Sequence, residues 1–178
     1  RLALALIVAT IPAVVAALLF DDLIEGAFRN PLLVAASLIV FGMILYIADE
    51  KGKKQRTNSK LAIGHALLIG LAQALALMPG VSRSGVTITA ALFLGYRRED
   101  AAEFSFLASI PVILGAVLFS VKDVVKHGAD GNFTLIAAGF VAALVSGLFA
   151  VKFLLAFVKK SSYTAFVIYR ILLGSVIV

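Results

Sequence analysis

Four long stretches without a charged side chain constrain the fold of this chain more than any other feature. Each stretch is 17 to 19 residues long, close to the ~20 residues that an α-helix needs to cross the hydrocarbon of a bilayer. They are Leu2–Phe20, Leu32–Ala48, Phe104–Val121 and Phe133–Val151. The composition of the 178 residues, 62% hydrophobic and 15% charged, departs from that of soluble domains in the same direction. We therefore predict an all-α polytopic membrane protein.

Six apolar regions follow one another and predict a single transmembrane domain over residues 1–178. The regions are Leu2–Phe20, Leu32–Ala48, Leu61–Leu94, Glu103–Val121, Phe133–Val158 and Tyr163–Val178. Polar segments separate them, and the most polar of these is 49–60. Because Arg1 directly precedes an apolar block and no leader pattern comes before it, we expect that an N-terminal part of the native protein is missing.

The third apolar region is interrupted by Pro79-Gly80. Proline lacks the amide donor that a helix needs, and glycine is a poor helix former, so the pair predicts a break. The part that follows, Val81–Leu94, is short for a span and contains Arg83. Two half-helices that meet near mid-membrane satisfy these constraints. We predict a re-entrant hairpin over 61–95, about five spanning helices beside it, and a cavity at the break, since irregular backbone at that depth must be buried in protein or face water.

The basic residues support a third region that returns to the side it left. In that topology ten Lys and Arg residues lie on one side of the membrane and three on the other, whereas a single crossing gives eight and five. The positive-inside rule favours the first distribution. The three residues on the opposite side are Arg29, Lys122 and Lys126. Membrane topology and anionic lipids thus account for the net charge of +6 without a nucleic-acid partner.

Polar side chains concentrate immediately after the break, at Ser82, Arg83, Ser84 and Thr87. An arginine at membrane depth costs at least a few kcal/mol on insertion scales and therefore needs a partner or a task. Its guanidinium matches phosphate or carboxylate. A half-helix that begins here would also present free amides and the positive end of its dipole. The loop from Gly80 onward therefore predicts an anion site, with phosphate as the anion.

A purely structural role is the alternative, in which small residues pack helices closely and Arg83 pairs with Glu103. Other polar residues favour structural interpretations as well. Gln73 is expected to form a hydrogen bond between helices, His65 to lie at the interface, and Arg170 to pair with a carboxylate or a helix end. Glu103 could also cap its helix. The chain contains no cysteine and no HExxH, Cys/His or Walker pattern, so no metal ligand set is predicted within it.

The segment Gln73-Ala-Leu-Ala-Leu-Met-Pro-Gly-Val-Ser-Arg-Ser-Gly-Val-Thr87 resembles the second signature of the bacitracin-resistance type undecaprenyl-diphosphate phosphatases. That signature is PGxSRSxxT, and all six of its fixed places are filled. The residues that fill them are Pro79, Gly80, Ser82, Arg83, Ser84 and Thr87. Glu103–Pro111 and Ile168–Arg170 are similar to later segments of the family. The family's first signature, ExxxE followed by PVSSTGH, is absent from this chain, and Gln73 occupies the repeat-related place of one of its glutamates.

The resemblance implies an enzyme of the bacterial inner membrane that converts undecaprenyl diphosphate to the monophosphate for the synthesis of envelope polymers. It also implies an inverted-repeat fold, of which this chain would be the second half, with a site that opens toward the periplasm. Ser82, Arg83 and Ser84 would be catalytic, and Gly80 and Thr87 would join them in phosphate binding. Gln73, Glu103 and Arg170 would be supporting residues. A Mg²⁺ or Ca²⁺ ion would be held mainly by glutamates of the absent signature.

The expected partners are the polyprenyl diphosphate and the membrane lipids, and a homodimer is left open. Two functions other than that of a phosphatase remain, which gives three alternatives. A polyprenyl-phosphate transporter or flippase could use the same midplane anion site, because broken helices also serve secondary carriers. A structural membrane subunit with a packing arginine is the third alternative.

Overall fold

A computed structural model describes residues 2–20, 30–58, 61–127 and 133–177, with side chains for all of these except 119–127 and 133. The described residues form seven α-helices and confirm the predicted all-α class. The helices are α1 (Leu2–Leu19), α2 (Pro31–Lys51), α3 (Ile63–Ala74), α4 (Arg83–Phe93), α5 (Arg98–His127), α6 (Phe133–Lys160) and α7 (Thr164–Ile177). Arg1, Arg29 and Lys60, which entered the comparison of loop charges, lie outside the described residues.

Four helices of the described part, α1, α2, α5 and α6, are long and apolar enough to cross a membrane. The sequence predicts about five. The remaining candidate, α7, has 14 residues, which at ~1.5 Å per residue gives about 21 Å, less than the ~30 Å of a hydrocarbon core. The number of long apolar helices indicates a multi-pass membrane protein.

Two helix boundaries differ from the sequence prediction. Helix α5 begins at Arg98 and continues to His127, so the predicted loop over 122–132 starts several residues too early. Acidic residues in the first turn, Glu99 and Asp100, favour the earlier start because they face the positive end of the helix dipole. Neither glycine nor proline interrupts the helix between Ser120 and His127. Glu103 therefore lies inside α5 and does not cap it.

The third apolar region is broken where the sequence predicts. Helix α3 ends at Ala74, a 3-10 turn covers Leu75–Leu77, and α4 begins at Arg83. The chain then returns to its starting end, because the backbone amides of Gln55 and Arg56 donate to the carbonyl of Gly95 at 2.9 Å each. The amide of Arg97 in turn donates to the carbonyl of Arg56 at 3.0 Å. Entry and exit of the hairpin are thus joined, while its depth in a bilayer stays a prediction.

Small residues allow the helices to approach closely. A Cβ added at Gly70 of α3 would lie 2.5 Å from the carbonyl oxygen of Ala9 on α1, and one at Gly174 of α7 would lie 3.0 Å from that of Ala35 on α2. The interior contains many alanines, whereas leucine, isoleucine and phenylalanine side chains are largely exposed. This arrangement suits a lipid surround, where close backbone packing rather than burial of large apolar groups holds helices together.

Asp49 lies in the last turns of α2 and is buried, although the sequence analysis assigned it to a polar segment. Its two carboxylate oxygens accept hydrogen bonds from Arg98 at 2.6 and 3.0 Å, and one of them also accepts the amide of Tyr163 at 2.9 Å. The Tyr163 hydroxyl donates to the carbonyl of Arg98, and burial raises the pKa of this phenol, so it stays a neutral donor. The ends of α2, α5 and α7 are thereby fixed together.

Candidate functional site

The loop before α4 has a backbone that constrains its sequence. Gly80 has φ of +88° and Ser82 has φ of +68°. A Cβ at Gly80 would lie 2.4 Å from the carbonyl oxygen of Val34 on α2, so only glycine fits. For Ser82 a positive φ is uncommon and costs energy, which the surrounding contacts must offset.

Helix α4 begins with unpaired amides. The Ser82 hydroxyl accepts the amide of Gly85 at 3.2 Å, and the Ser82 carbonyl accepts the amide of Val86 at 3.0 Å. Within the part of the chain that the structure describes, the amides of Arg83 and Ser84 have no hydrogen-bond partner. Together with the positive dipole end, these two donors give the start of α4 the properties of an anion site, as the sequence predicts.

A cavity of about 280 Å³ adjoins the start of α4. Ser82, Ser84, Gly85 and Arg170 form its polar part. Apolar and aromatic side chains from α2, α4, α6 and α7 and the turn before α7 form the remaining wall. These residues are Leu38, Leu45, Ile88, Leu154, Tyr163, Phe166 and Tyr169. A cavity with one hydrogen-bonding part and an apolar remainder suits an amphiphile that carries an anionic head group.

Arg83 is half-buried at the start of α4; its guanidinium is directed to α5 and does not line this cavity. Its Nη1 donates to the carbonyl of Ser105 on α5 at 3.2 Å. The ion pair with Glu103 that a structural role would require is not formed among the described residues. Glu103 instead lines a different, charged cavity with Glu99 and Asp100. The guanidinium of Arg83 therefore keeps donors available for a ligand.

Thr87 is buried on α4 and faces α5. Its hydroxyl lies 2.9 Å from the carbonyl of Arg83 and 3.1 Å from that of Ser84, and 2.8 Å from the Ser105 hydroxyl. Because the one hydrogen of Thr87 is directed to these carbonyls, Ser105 is the donor between the two hydroxyls. Thr87 thus supports the first turn of α4 from behind and does not line the cavity. Ser105 could not be predicted from the sequence, since a single serine in an apolar helix carries no distinguishing pattern.

Of the supporting residues that the sequence predicts, Arg170 lies at the site and Gln73 does not line the cavity. The Arg170 guanidinium donates to backbone carbonyls of the loop rather than to a carboxylate. Gln73 makes the expected hydrogen bond between helices, from its Nε2 to the carbonyl of Ala9 at 3.1 Å. His65 lies near the neck of the hairpin, the place where the backbone of Arg56 meets that of Gly95 and Arg97. Its Nδ1 is 3.0 Å from the Tyr96 hydroxyl, and its ring is within hydrogen-bond distance of Arg56.

The described residues do not fit a divalent metal ion. No group of three or more His, Cys, Asp or Glu side chains comes together among them. The acidic residues near the start of α5 lie in the separate charged cavity, and Asp49 is engaged by Arg98. No chemical step through a metal is therefore derived from this chain.

The chain is similar to known proteins over nearly its whole length. The sequence profile of the family described as "Bacitracin resistance protein BacA" matches residues 1–176. A protein named undecaprenyl-diphosphatase from Elusimicrobium minutum is 49% identical over 97% of this chain and 65% of its own length. Proteins of the same name from Alcanivorax borkumensis and Pelobacter propionicus are 47% and 46% identical, over 98% and 100% of this chain and 66% of their own lengths. The chain thus spans about two thirds of the length of these relatives.

Proposed function

This chain belongs to the bacitracin resistance protein BacA family, and on that basis we propose that it acts in the hydrolysis of undecaprenyl diphosphate. In this reaction water attacks the terminal phosphorus, and the bond from that phosphorus to the bridging oxygen breaks. The products are inorganic phosphate and undecaprenyl phosphate, which returns to the synthesis of envelope polymers. The observation that carries the proposal is the cavity at the start of α4, polar in one part and apolar in the rest. The names of the relatives support the same activity.

The residues of the loop suit the recognition of a diphosphate. The free amides of Arg83 and Ser84 and the hydroxyls of Ser82 and Ser84 provide neutral donors beside the positive end of the helix dipole. The Arg83 guanidinium adds a fixed positive charge. Phosphoryl transfer places charge on the equatorial oxygens of the transferring group, and preorganised donors of this kind stabilise it. The isoprenoid chain would follow the apolar wall toward the lipid.

We further propose that the protein resides in the bacterial inner membrane with the cavity open to the periplasm. The described basic residues at the neck of the hairpin and at the adjoining ends of α2, α5 and α6 support this orientation because lysine and arginine concentrate on the cytoplasmic side. They are Lys51, Lys53, Lys54, Arg56, Arg97, Arg98, Lys159 and Lys160. The ion that the family resemblance implies, Mg²⁺ or Ca²⁺, takes no part in the steps proposed for this chain.

Phosphate release from undecaprenyl diphosphate tests the activity. Arg83→Ala should lower the turnover of the purified protein by about 10³-fold or more, the range observed when an arginine that stabilises a transferring phosphoryl group is removed. Arg97→Ala, which removes an exposed arginine at the neck, is the matched control and should retain activity. Near wild-type turnover in Arg83→Ala would remove this residue from the catalytic role.

A carrier of polyprenyl phosphates is the second candidate function, and the broken hairpin favours it. Half-helices whose N-termini face an anion are also found in secondary transporters. Detergent-solubilised protein separates the two functions, because a carrier alone releases no phosphate from the lipid diphosphate. Movement of labelled lipid across liposomes without phosphate release would favour the carrier.

A further inference from the structure

The guanidinium of Arg170 on α7 is buried at the loop before α4, with 7% of the residue exposed. Its Nη2 donates to the carbonyl oxygens of Gly80 at 2.8 Å and Val81 at 3.0 Å. Its Nε donates to the carbonyl oxygen of Leu38 on α2 at 3.3 Å. One side chain thereby connects α7, α2 and the loop.

The two loop carbonyls depend on this arginine. The positive φ values of Gly80 and Ser82 turn the backbone so that the carbonyls of Gly80 and Val81 enter no helical hydrogen bond. No donor other than Arg170 reaches them within the described ranges. A buried carbonyl without a donor is costly, so the turn is stable only while the guanidinium is in place.

Arg170 also adjoins the first turn of α4. A Cβ at Gly85 would lie 2.9 Å from Nη1 of Arg170 and 3.2 Å from both the Cβ and Oγ of Ser82. Arg170, Ser82 and Gly85 are therefore packed against one another at the wall of the cavity. The absence of a side chain at Gly85 allows this approach.

We propose that Arg170 is a positioning residue that holds the left-handed turn Gly80–Ser82, and through it the phosphate-binding donors of Ser82 and Ser84, in place. It acts on the substrate through the loop. This inference rests on the proposed phosphatase function and extends it. A planar fork with several fixed donors can serve three carbonyls at once, whereas lysine offers a single ammonium.

A role limited to helix packing predicts different behaviour, and Gly174 provides the matched control. It lies one helical turn after Arg170 on α7, where an added Cβ would press on Ile39 and the carbonyl of Ala35 of α2. Gly174→Ala thus perturbs the contact between α7 and α2 without removing a donor from the loop.

Hydrogen exchange and kinetics of the same variants test the proposal. In Arg170→Gln, the amides of Gly85 and Val86, which donate to Ser82, should exchange faster than in the unchanged protein. Its kcat should fall by about 100-fold, the loss expected when a reacting group is misplaced by ~1 Å, with KM changed far less. Arg170→Lys should recover part of both properties, and Gly174→Ala should keep slow exchange at these two amides.

Two results would overturn the proposal: unchanged exchange at Gly85 and Val86 in both Arg170 variants, or equal loosening of these amides in Gly174→Ala. The exchange measurement does not require turnover. If the unchanged protein released no phosphate while Arg170→Gln still loosened the first turn of α4, the proposed function would fail and the support of the loop by Arg170 would stand. If the amides of Gly85 and Val86 exchanged slowly in both Arg170 variants while the unchanged protein released phosphate, the phosphatase function would stand and the positioning role would fail.

Discussion

Individual residues at the break between α3 and α4 form the loop that the sequence predicts. Gly80, Ser82 and Arg83 could be predicted because an arginine and hydroxyls directly after Pro-Gly in an apolar segment have few structural explanations. Ser105 and the backbone carbonyls that Arg170 contacts could not. These contacts join residues far apart in the chain, such as Leu38 and Arg170, and no local pattern announces them.

Gly80 provides a test of the loop backbone at this scale. Gly80→Ala should lower the free energy of unfolding by more than about 1 kcal/mol, because alanine is incompatible with the positive φ and its Cβ would meet the carbonyl of Val34. Thermal unfolding in detergent measures the change. Gly115→Ala on α5 is the control, since nothing lies within 4 Å of its added Cβ. Equal unfolding temperatures for the two variants would contradict the loop geometry.

The elements show where sequence periodicity succeeds and where it stops. The apolar blocks predict α1, α2 and α6 closely because uninterrupted apolar runs of this length have one stable conformation in lipid. The predicted end of the fourth apolar region at Val121 was wrong as a helix end, because α5 continues to His127. Charged residues mark the membrane boundary and not the end of a helix. The burial of Asp49 was missed for a related reason. Its partners Arg98 and Tyr163 belong to two other helices, and only the tertiary arrangement brings them together.

The contact between α1 and α3 gives a prediction at the scale of elements. Gly70→Ala should destabilise the protein, because the added methyl group would lie 2.5 Å from the backbone of Ala9 and the two helices would have to separate. Gly64→Ala, two turns earlier on the same helix and free of contacts within 4 Å, should be neutral or stabilise by up to about 1 kcal/mol through helix propensity. Unfolding of both variants in the same detergent decides the matter. A Gly70→Ala protein as stable as Gly64→Ala would show that the helices do not approach so closely.

At the scale of the whole molecule, basic residues of several segments lie together at one end of the described structure. The cations at the neck of the hairpin, the start of α5 and the end of α6 lie near one another because three contacts join these segments: the bond between Arg56 and Gly95, the pair of Asp49 and Arg98, and the bond from the Tyr163 amide to Asp49. The class of fold could be predicted from charge and hydropathy, and the position of the hairpin break from Pro79-Gly80. The contact of α7 with the loop could not, because nothing in its 14 residues relates Arg170 to the carbonyls of Gly80 and Val81.

Labelling of single cysteines tests the proposed orientation, and the 178 residues contain no cysteine of their own. In intact cells, Lys53→Cys, Arg97→Cys and Lys159→Cys should all be protected from a membrane-impermeant maleimide and should all react after the inner membrane is opened. If some of the three cysteines were protected and others reacted from the outside, the three segments would not lie on one side of the membrane, which would contradict the structure of the hairpin neck. Uniform labelling from the outside would reverse the proposed orientation.

The paired neck of the hairpin has a consequence for protein engineering. Since the backbone of Arg56 meets that of Gly95 and Arg97, the residues between them form a cassette whose two ends coincide in space. An exchange of this cassette between homologous proteins leaves the path of the flanking chain unchanged as long as the neck is kept. The recipient must supply what the cassette meets along its sides, α1 at Gly70 and α2 at Gly80, and at its far end the guanidinium of Arg170 and the Ser105 side of α5. The hairpin can thus be exchanged as one segment, and the helices of the recipient protein determine whether its tip is correctly formed.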